Sequence, residues 1–215
     1  MVEWGRAPAD GNPRRRPERS AGSGGGKEVA ILELWIQAEG AVLLWIQENL
    51  RFDLLTPLVR FITFLGNGGW FWIALAPLLC GFRRTRRAGL AAGAALLLSL
   101  LVNNLLPKNL VARVRPYEVI QGLRILIPPP QDFSFPSGHA GASFAAAAAM
   151  YPYLRRPYGR GLLILAGLIA LSRLYLGVHY PTDVLAGALI GTLLGVAAAR
   201  LIGRLRGRFL DRLPD

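Results

Sequence analysis

The sequence predicts an all-α integral membrane helical bundle, with about five transmembrane helices (six possible) and an N-terminal interfacial helix. Three observations predict it. Hydrophobic residues make up 53% of the 215-residue chain and charged ones only 18%, against roughly 25% in an ordinary soluble domain. Long apolar runs alternate with short arginine clusters, as spans alternate with cytoplasmic loops. The formal net charge of +12 is distributed among those clusters rather than gathered on one soluble face, which argues against a nucleic-acid partner.

Residues 1–26 hold Pro, Gly, Ser and the cluster Arg14-Arg15-Arg16. Their few apolar groups cannot offset the entropy of ordering, so a disordered basic tail is expected. No apolar stretch follows directly, so a cleavable signal peptide is not. Residues 27–52 are apolar but interrupted by Glu33, Gln37, Glu39, Gln47 and Glu48. A charge at the bilayer centre costs about 2.5–3.5 kcal/mol on insertion scales, while Trp35 and Trp45 suit the headgroup level. An interfacial amphipathic helix is therefore expected. If it spans instead, the count becomes six and the tail turns cytoplasmic.

Residues 53–208 form the membrane-embedded domain, followed by a cytoplasmic tail at 209–215. The spans run Phe61–Phe82, Ala88–Leu106, Ala140–Leu154, Gly161–Val178 and Val184–Gly203. The first is interrupted at Gly66-Asn67-Gly68-Gly69. The third is short but rich in small residues, which suits a helix packed among neighbours rather than facing lipid. Between the first and second spans lie Arg83, Arg84, Arg86 and Arg87. Arg155, Arg156 and Arg160 separate the third from the fourth, and Arg204, Arg206, Arg208 and Arg212 follow the fifth. By parity these regions share one side, and their arginines make it cytoplasmic. The chain is thus a multi-pass protein of the cell membrane with a cytoplasmic C-terminus.

Three clusters collect on the opposite, extracytoplasmic side. Lys108 and Arg115-Pro116 follow the second span; their separation of seven residues puts both cations on one face if the helix continues, with Pro116 marking its end. Arg113 and Arg124 read as snorkelling cations. Pro136-Ser137-Gly138-His139 opens the third span, where free N–H groups and the helix dipole make an anion site. Ser172-Arg173, His179 and Asp183 join the fourth span to the fifth. An arginine inside an apolar span is functional by default. A strict helix sets Arg173 about 120° from the face of His179, so either the arginine's length or a distortion near Gly177 must close the gap.

This set suits phosphoryl transfer. Arginine forks match phosphate oxygens, and lysine adds point charge. A carboxylate on one imidazole nitrogen selects the tautomer and leaves the other nitrogen as nucleophile. A second histidine can protonate the leaving oxygen and then activate water. No metal or cofactor is expected, since three cations supply the charge stabilisation. With Cys80 the only cysteine and two histidines in all, a structural zinc site is not expected either.

The three clusters resemble, in order, the motifs of the type 2 phosphatidic acid phosphatase superfamily, the integral lipid phosphate phosphatases. These are Lys108 with Arg115-Pro116, Pro136-Ser137-Gly138-His139, and Ser172-Arg173 with His179 and Asp183. The span pattern is similar over residues about 45–205. The resemblance implies that His179 forms a phosphohistidine, Asp183 orients it and His139 serves as general acid and then base. It implies phosphate binding by Lys108, Arg115, Ser137, Gly138 and Arg173, with Ser172 only supporting. The implied substrate is a phosphorylated membrane lipid of the undecaprenyl diphosphate, phosphatidylglycerol phosphate or phosphatidic acid type. Two other readings stay open: a phosphotransferase passing the phosphoryl group to an alcohol, and a non-catalytic phospholipid transporter. The segment from Pro116 to Asp132 is expected to border the site and select the headgroup.

Overall fold

A computed structural model describes residues 24–102 and 111–205. Lys108, Arg14-Arg15-Arg16 and the 209–215 tail lie outside the described residues. The chain divides into two compact units, Met1–Ile36 and Gln37–Asp215. Of the first, residues 24–36 are helical and begin α1 (Gly24–Asn49), with Ile31, Leu34 and Trp35 exposed.

The described residues are predominantly helical and contain no strand. After α1 come α2 (Leu55–Gly66), a 3-10 turn (Asn67–Gly69) and α3 (Trp70–Cys80). The break predicted inside the first span is present, with Gly68 and Gly69 both left-handed at φ 58° and 71°. Then follow α4 (Arg86–Leu100), the short α5 (Pro116–Val119), α6 (Gly138–Met150), α7 (Arg156–Tyr175) and α8 (Pro181–Leu205). By length and composition, Leu55–Cys80, Arg156–Tyr175 and Pro181–Leu205 can each cross a membrane. At 15 and 13 residues, α4 and α6 are shorter than the ~20 a crossing usually takes.

The small residues of α6 are there to be packed. Ala145 and Ala149 are fully buried against α4 and α8, and Ala146 and Ala147 against α3, α4 and α7. On α8, Gly187, Gly191 and Gly195 recur every fourth residue and so share one face. A Cβ at Gly191 would lie 2.2 Å from the Gly141 carbonyl oxygen, and one at Gly195 would lie 2.4 Å from that of Ala145. The α6 and α8 backbones therefore touch, as small-residue seams allow. Leu185, Leu189 and Leu193, two positions out of phase, are exposed on the opposite face, where hydrocarbon is the natural solvent. This seam carries the first turn of α8 against the first turn of α6: the Ser137 N–H donates to the Asp183 carbonyl at 3.0 Å.

One expectation fails here. Residues 112–115 are not helical, so no continuous helix places Lys108 and Arg115 on a common face. Ala112 is left-handed at φ 45°, and Arg115 is extended (φ −74°, ψ 151°) ahead of Pro116. The proline opens α5 rather than closing a helix, because its missing N–H costs nothing at the first helical position.

Candidate active site

The fourth span ends sooner than its apolar run suggests, at Tyr175. Gly177, at φ 75°, turns the chain: its N–H donates to the Leu174 carbonyl at 3.0 Å and that of Val178 to the Arg173 carbonyl at 3.2 Å. This is a Schellman cap. It settles how Arg173 and His179 meet, since the helix stops between them and their separation along a helix no longer applies. A Cβ at Gly177 would lie 2.9 Å from Arg51 Nη2 and 3.0 Å from the Arg124 carbonyl oxygen, so glycine is required twice over.

His179, only 3% exposed, presents its two nitrogens to different surroundings. Nδ1 lies 3.6 Å from Asp183 Oδ2 and 3.5 Å from Ser134 Oγ. Ser134 spends its own proton on Asp183 Oδ2 at 2.5 Å, so both neighbours of Nδ1 act as acceptors. Nδ1 therefore carries the ring proton and Nε2 the lone pair, an inference from partners. Nε2 faces Arg115 Nη1 at 3.5 Å. Burial above all, with Arg173 and Arg115 adding to it, pushes the imidazole down to about 4 against the pull of Asp183.

Arg115, also 3% exposed, is held by the Val178 carbonyl at 2.6 Å and the Asp132 carbonyl at 2.8 Å. Its Nη2 pairs with Asp132 Oδ1 at 2.6 Å. Arg173 donates through Nη1 to Thr63 Oγ1 at 2.7 Å, while its buried Nε has no hydrogen-bond partner among the described residues. Ser137 caps α6 by accepting from the Ala140 N–H. The next N–H groups, of Gly138 and His139, have no acceptor within the helix. His139 Nε2 lies 2.9 Å from Asn67 Oδ1. Ser172 turns away, donating to the Ile169 carbonyl at 2.6 Å.

The described residues thus bring together Arg115, Ser137, Gly138, His139, Arg173, His179 and Asp183 at one end of α6, α7 and α8. Sequence reasoning missed several neighbours. Arg113 does not snorkel: it binds Asp183 Oδ1 at 2.7 Å, Thr182 Oγ1 at 2.7 Å and Glu39 Oε2. Snorkelling loses because two buried carboxylates attract a guanidinium more strongly than headgroups do. Glu39, read only as an interruption of α1, was the available signal, since an ionisable residue in an apolar run implies a partner. Asn67 carried a similar signal but was absorbed into the glycine break. Ser134 had none.

Two cavities adjoin the cluster. One of about 880 Å³ lies among Arg113, Arg115, Tyr117, Glu118 and the 129–133 loop, so both ends of the Pro116–Asp132 segment border the site. The other, about 810 Å³ and largely apolar, runs between α3 and α4 from His139 and Asp132 down to Cys80 and Gly89. At its lower end the helices touch, with a Cβ on Gly89 falling 2.4 Å from the Ala76 carbonyl oxygen; one turn up, Gly93 faces open space.

Residues 88–206 match the family model of the PAP2 superfamily. The chain is 32% identical over 147 residues to an undecaprenyl-diphosphatase of Sulfolobus acidocaldarius, covering 66% of this chain and 70% of that one. It is 38% identical over 128 residues to a decaprenylphosphoryl-5-phosphoribose phosphatase of Mycobacterium tuberculosis, covering 59% and 68%. Among solved structures it is similar to a transmembrane PAP2-type phosphatidylglycerolphosphate phosphatase from Bacillus subtilis. That match has a TM-score of 0.66 at 26% identity and covers 80% of this chain and 88% of that one.

Proposed function

The chain belongs to the PAP2 superfamily, and on that premise we propose that it is an integral membrane phosphatase that hydrolyses a lipid phosphomonoester or diphosphate through a phosphohistidine on His179. The observation that carries this reading is the asymmetry of the His179 ring. Its Nδ1 faces Asp183 and Ser134, and its Nε2 opens toward Arg115.

In the first step Nε2 attacks phosphorus, the bond from phosphorus to the lipid oxygen breaks, and protonated His139 gives its proton to that oxygen. In the second, water attacks the phosphohistidine, His139 takes the proton, and the N–P bond breaks to release inorganic phosphate. Charge on the equatorial oxygens falls to Arg115, Arg173 and the first-turn N–H groups of α6, with Lys108 as a further cation. Asp183 holds the tautomer and stabilises the ring as it becomes cationic. These cations do the work that a metal does in other phosphatases.

The lipid proposed is a polyprenyl diphosphate or monophosphate. The groove between α3 and α4 supports a single long chain: it opens beside His139 and narrows toward Gly89. The relatives in Sulfolobus and Mycobacterium bear polyprenyl names. In this reading α2–α3, α4, α6, α7 and α8 make five crossings, with the site on the extracytoplasmic face and the C-terminus cytoplasmic.

Phosphate release from a panel of phosphorylated lipids, by protein purified in detergent, tests the proposal. Wild type should favour polyprenyl substrates and keep its activity in EDTA. His179→Ala should melt like wild type and release no phosphate; full activity there would sink the nucleophile. Alcohol acceptors added to the same assay expose a transferase by its phosphorylated product.

A further inference from the structure

Asp183 is fully buried, and a buried carboxylate keeps its charge and direction only where partners hold it. Its Oδ2 accepts from Ser134 Oγ at 2.5 Å and the Tyr180 N–H at 2.9 Å. The only cation bonded to it among the described residues is Arg113, whose Nη1 reaches Oδ1 at 2.7 Å. The guanidinium is itself clamped. Its Nη2 pairs with Glu39 Oε2, its Nη1 also donates to Thr182 Oγ1, and its Cζ lies 3.8 Å from the Tyr180 ring centroid. Glu39 Oε1 accepts from the Thr182 N–H at 2.8 Å and its hydroxyl at 2.6 Å. The Arg113 carbonyl in turn accepts from the Ser134 N–H at 2.9 Å. The 112–115 segment and the Ser134 loop therefore meet α8 at one carboxylate, and Glu39 of α1 anchors the arginine that reaches it.

We propose that Arg113, anchored by Glu39, is a positioning residue that aims the Asp183 carboxylate at His179 Nδ1 and so keeps the Nε2 lone pair free for phosphorus. A guanidinium fork suits the task because separate nitrogens meet two carboxylates at once, which one ammonium cannot do. Arg113 has no hydrogen bond to either imidazole among the described residues; its two terminal nitrogens are spent on Glu39, Thr182 and Asp183, and one face on Tyr180. It acts through Asp183. This inference rests on the phosphohistidine reading for its catalytic consequence, but not for its structural one.

The test compares wild type, Arg113→Met and Arg113→Lys as full-length protein in detergent, by two measurements. One is steady-state phosphate release from a polyprenyl diphosphate. The other is 15N NMR of the imidazoles, which distinguishes the neutral tautomers and is tractable because the chain has two histidines. Arg113→Met should lower kcat about 10- to 100-fold, the scale on which loss of a supporting partner acts, while KM moves less than about twofold. The His179 Nδ1–H tautomer should lose population in parallel. Arg113→Lys should recover part of both. A raised KM with unchanged kcat would make Arg113 a headgroup contact and overturn the inference, as would an unchanged tautomer. Should Arg113→Met fail to fold, Arg113→Lys decides alone: wild-type kcat and tautomer there overturn the proposal. A wild type that releases no phosphate defeats the functional reading, and the tautomer measurement still tests this one.

Discussion

Between α6 and α8, glycine brings two backbones into contact; between α3 and α4, the glycine at 93 leaves room for something else. In the first region a Cβ at Gly191 would lie 2.2 Å from a carbonyl oxygen, and in the second a Cβ at Gly93 meets nothing within 4 Å. The α6–α8 seam is closed by direct backbone contact and sets Ser137 against Asp183. The α3–α4 pair is pinned at Gly89 and parts toward His139. The same residue type thus serves closure in one place and lines a cavity in the other, and only the neighbouring helix distinguishes them.

That contrast can be broken by substitution. The largest effect is expected from Gly191→Val. Overpacking usually costs about 1–3 kcal/mol, and here the obstacle is backbone that cannot rotate away. A loss of about 3 kcal/mol or more in detergent unfolding should accompany loss of phosphate release; a variant as stable as wild type would mean the seam is looser than drawn. Gly93→Phe should leave the unfolding midpoint within about 1 kcal/mol, because its side chain enters open space. It should raise KM about tenfold for long polyprenyl substrates and spare short ones. Equal effects on both lengths would place the chain elsewhere.

The smallest and sharpest test concerns the buried His179, just ahead of α8. His179 is pushed down to about 4 by burial first, with Arg173 and Arg115 adding to it. Between about 4 and the unfolded value near 6.5, the folded state therefore binds fewer protons than the unfolded one. This contribution to stability is complete above 6.5 and is lost as pH falls toward 4. In an NMR titration His179 should still be neutral at pH 5.5, where an exposed histidine is mostly protonated. Titration near 6.5 would show water reaching the site.

Much of this was legible in order along the chain. The break at Gly66–Gly69 and the buried small-residue helix stand where local pattern puts them. What escaped was whatever depends on partners far away in sequence. Arg113 and Glu39 are 74 residues apart, and each looks like a surface charge until the other is placed beside it. Ser134 lies among phenylalanines and carries no mark of its contact with Asp183. The helix expected to run on to Arg115 is already broken at Ala112, which is left-handed, and residues 112–115 are non-helical.

By itself the sequence determined the helical class and the chemical inventory of the site, because hydropathy, periodicity and residue type are local properties. Only the tertiary structure decided which nitrogen of His179 is bare, where Arg113 points and which glycines close a seam rather than line a groove. Each of those depends on distances of a few ångströms between segments that the chain brings together from far apart, and such distances leave no period in a sequence.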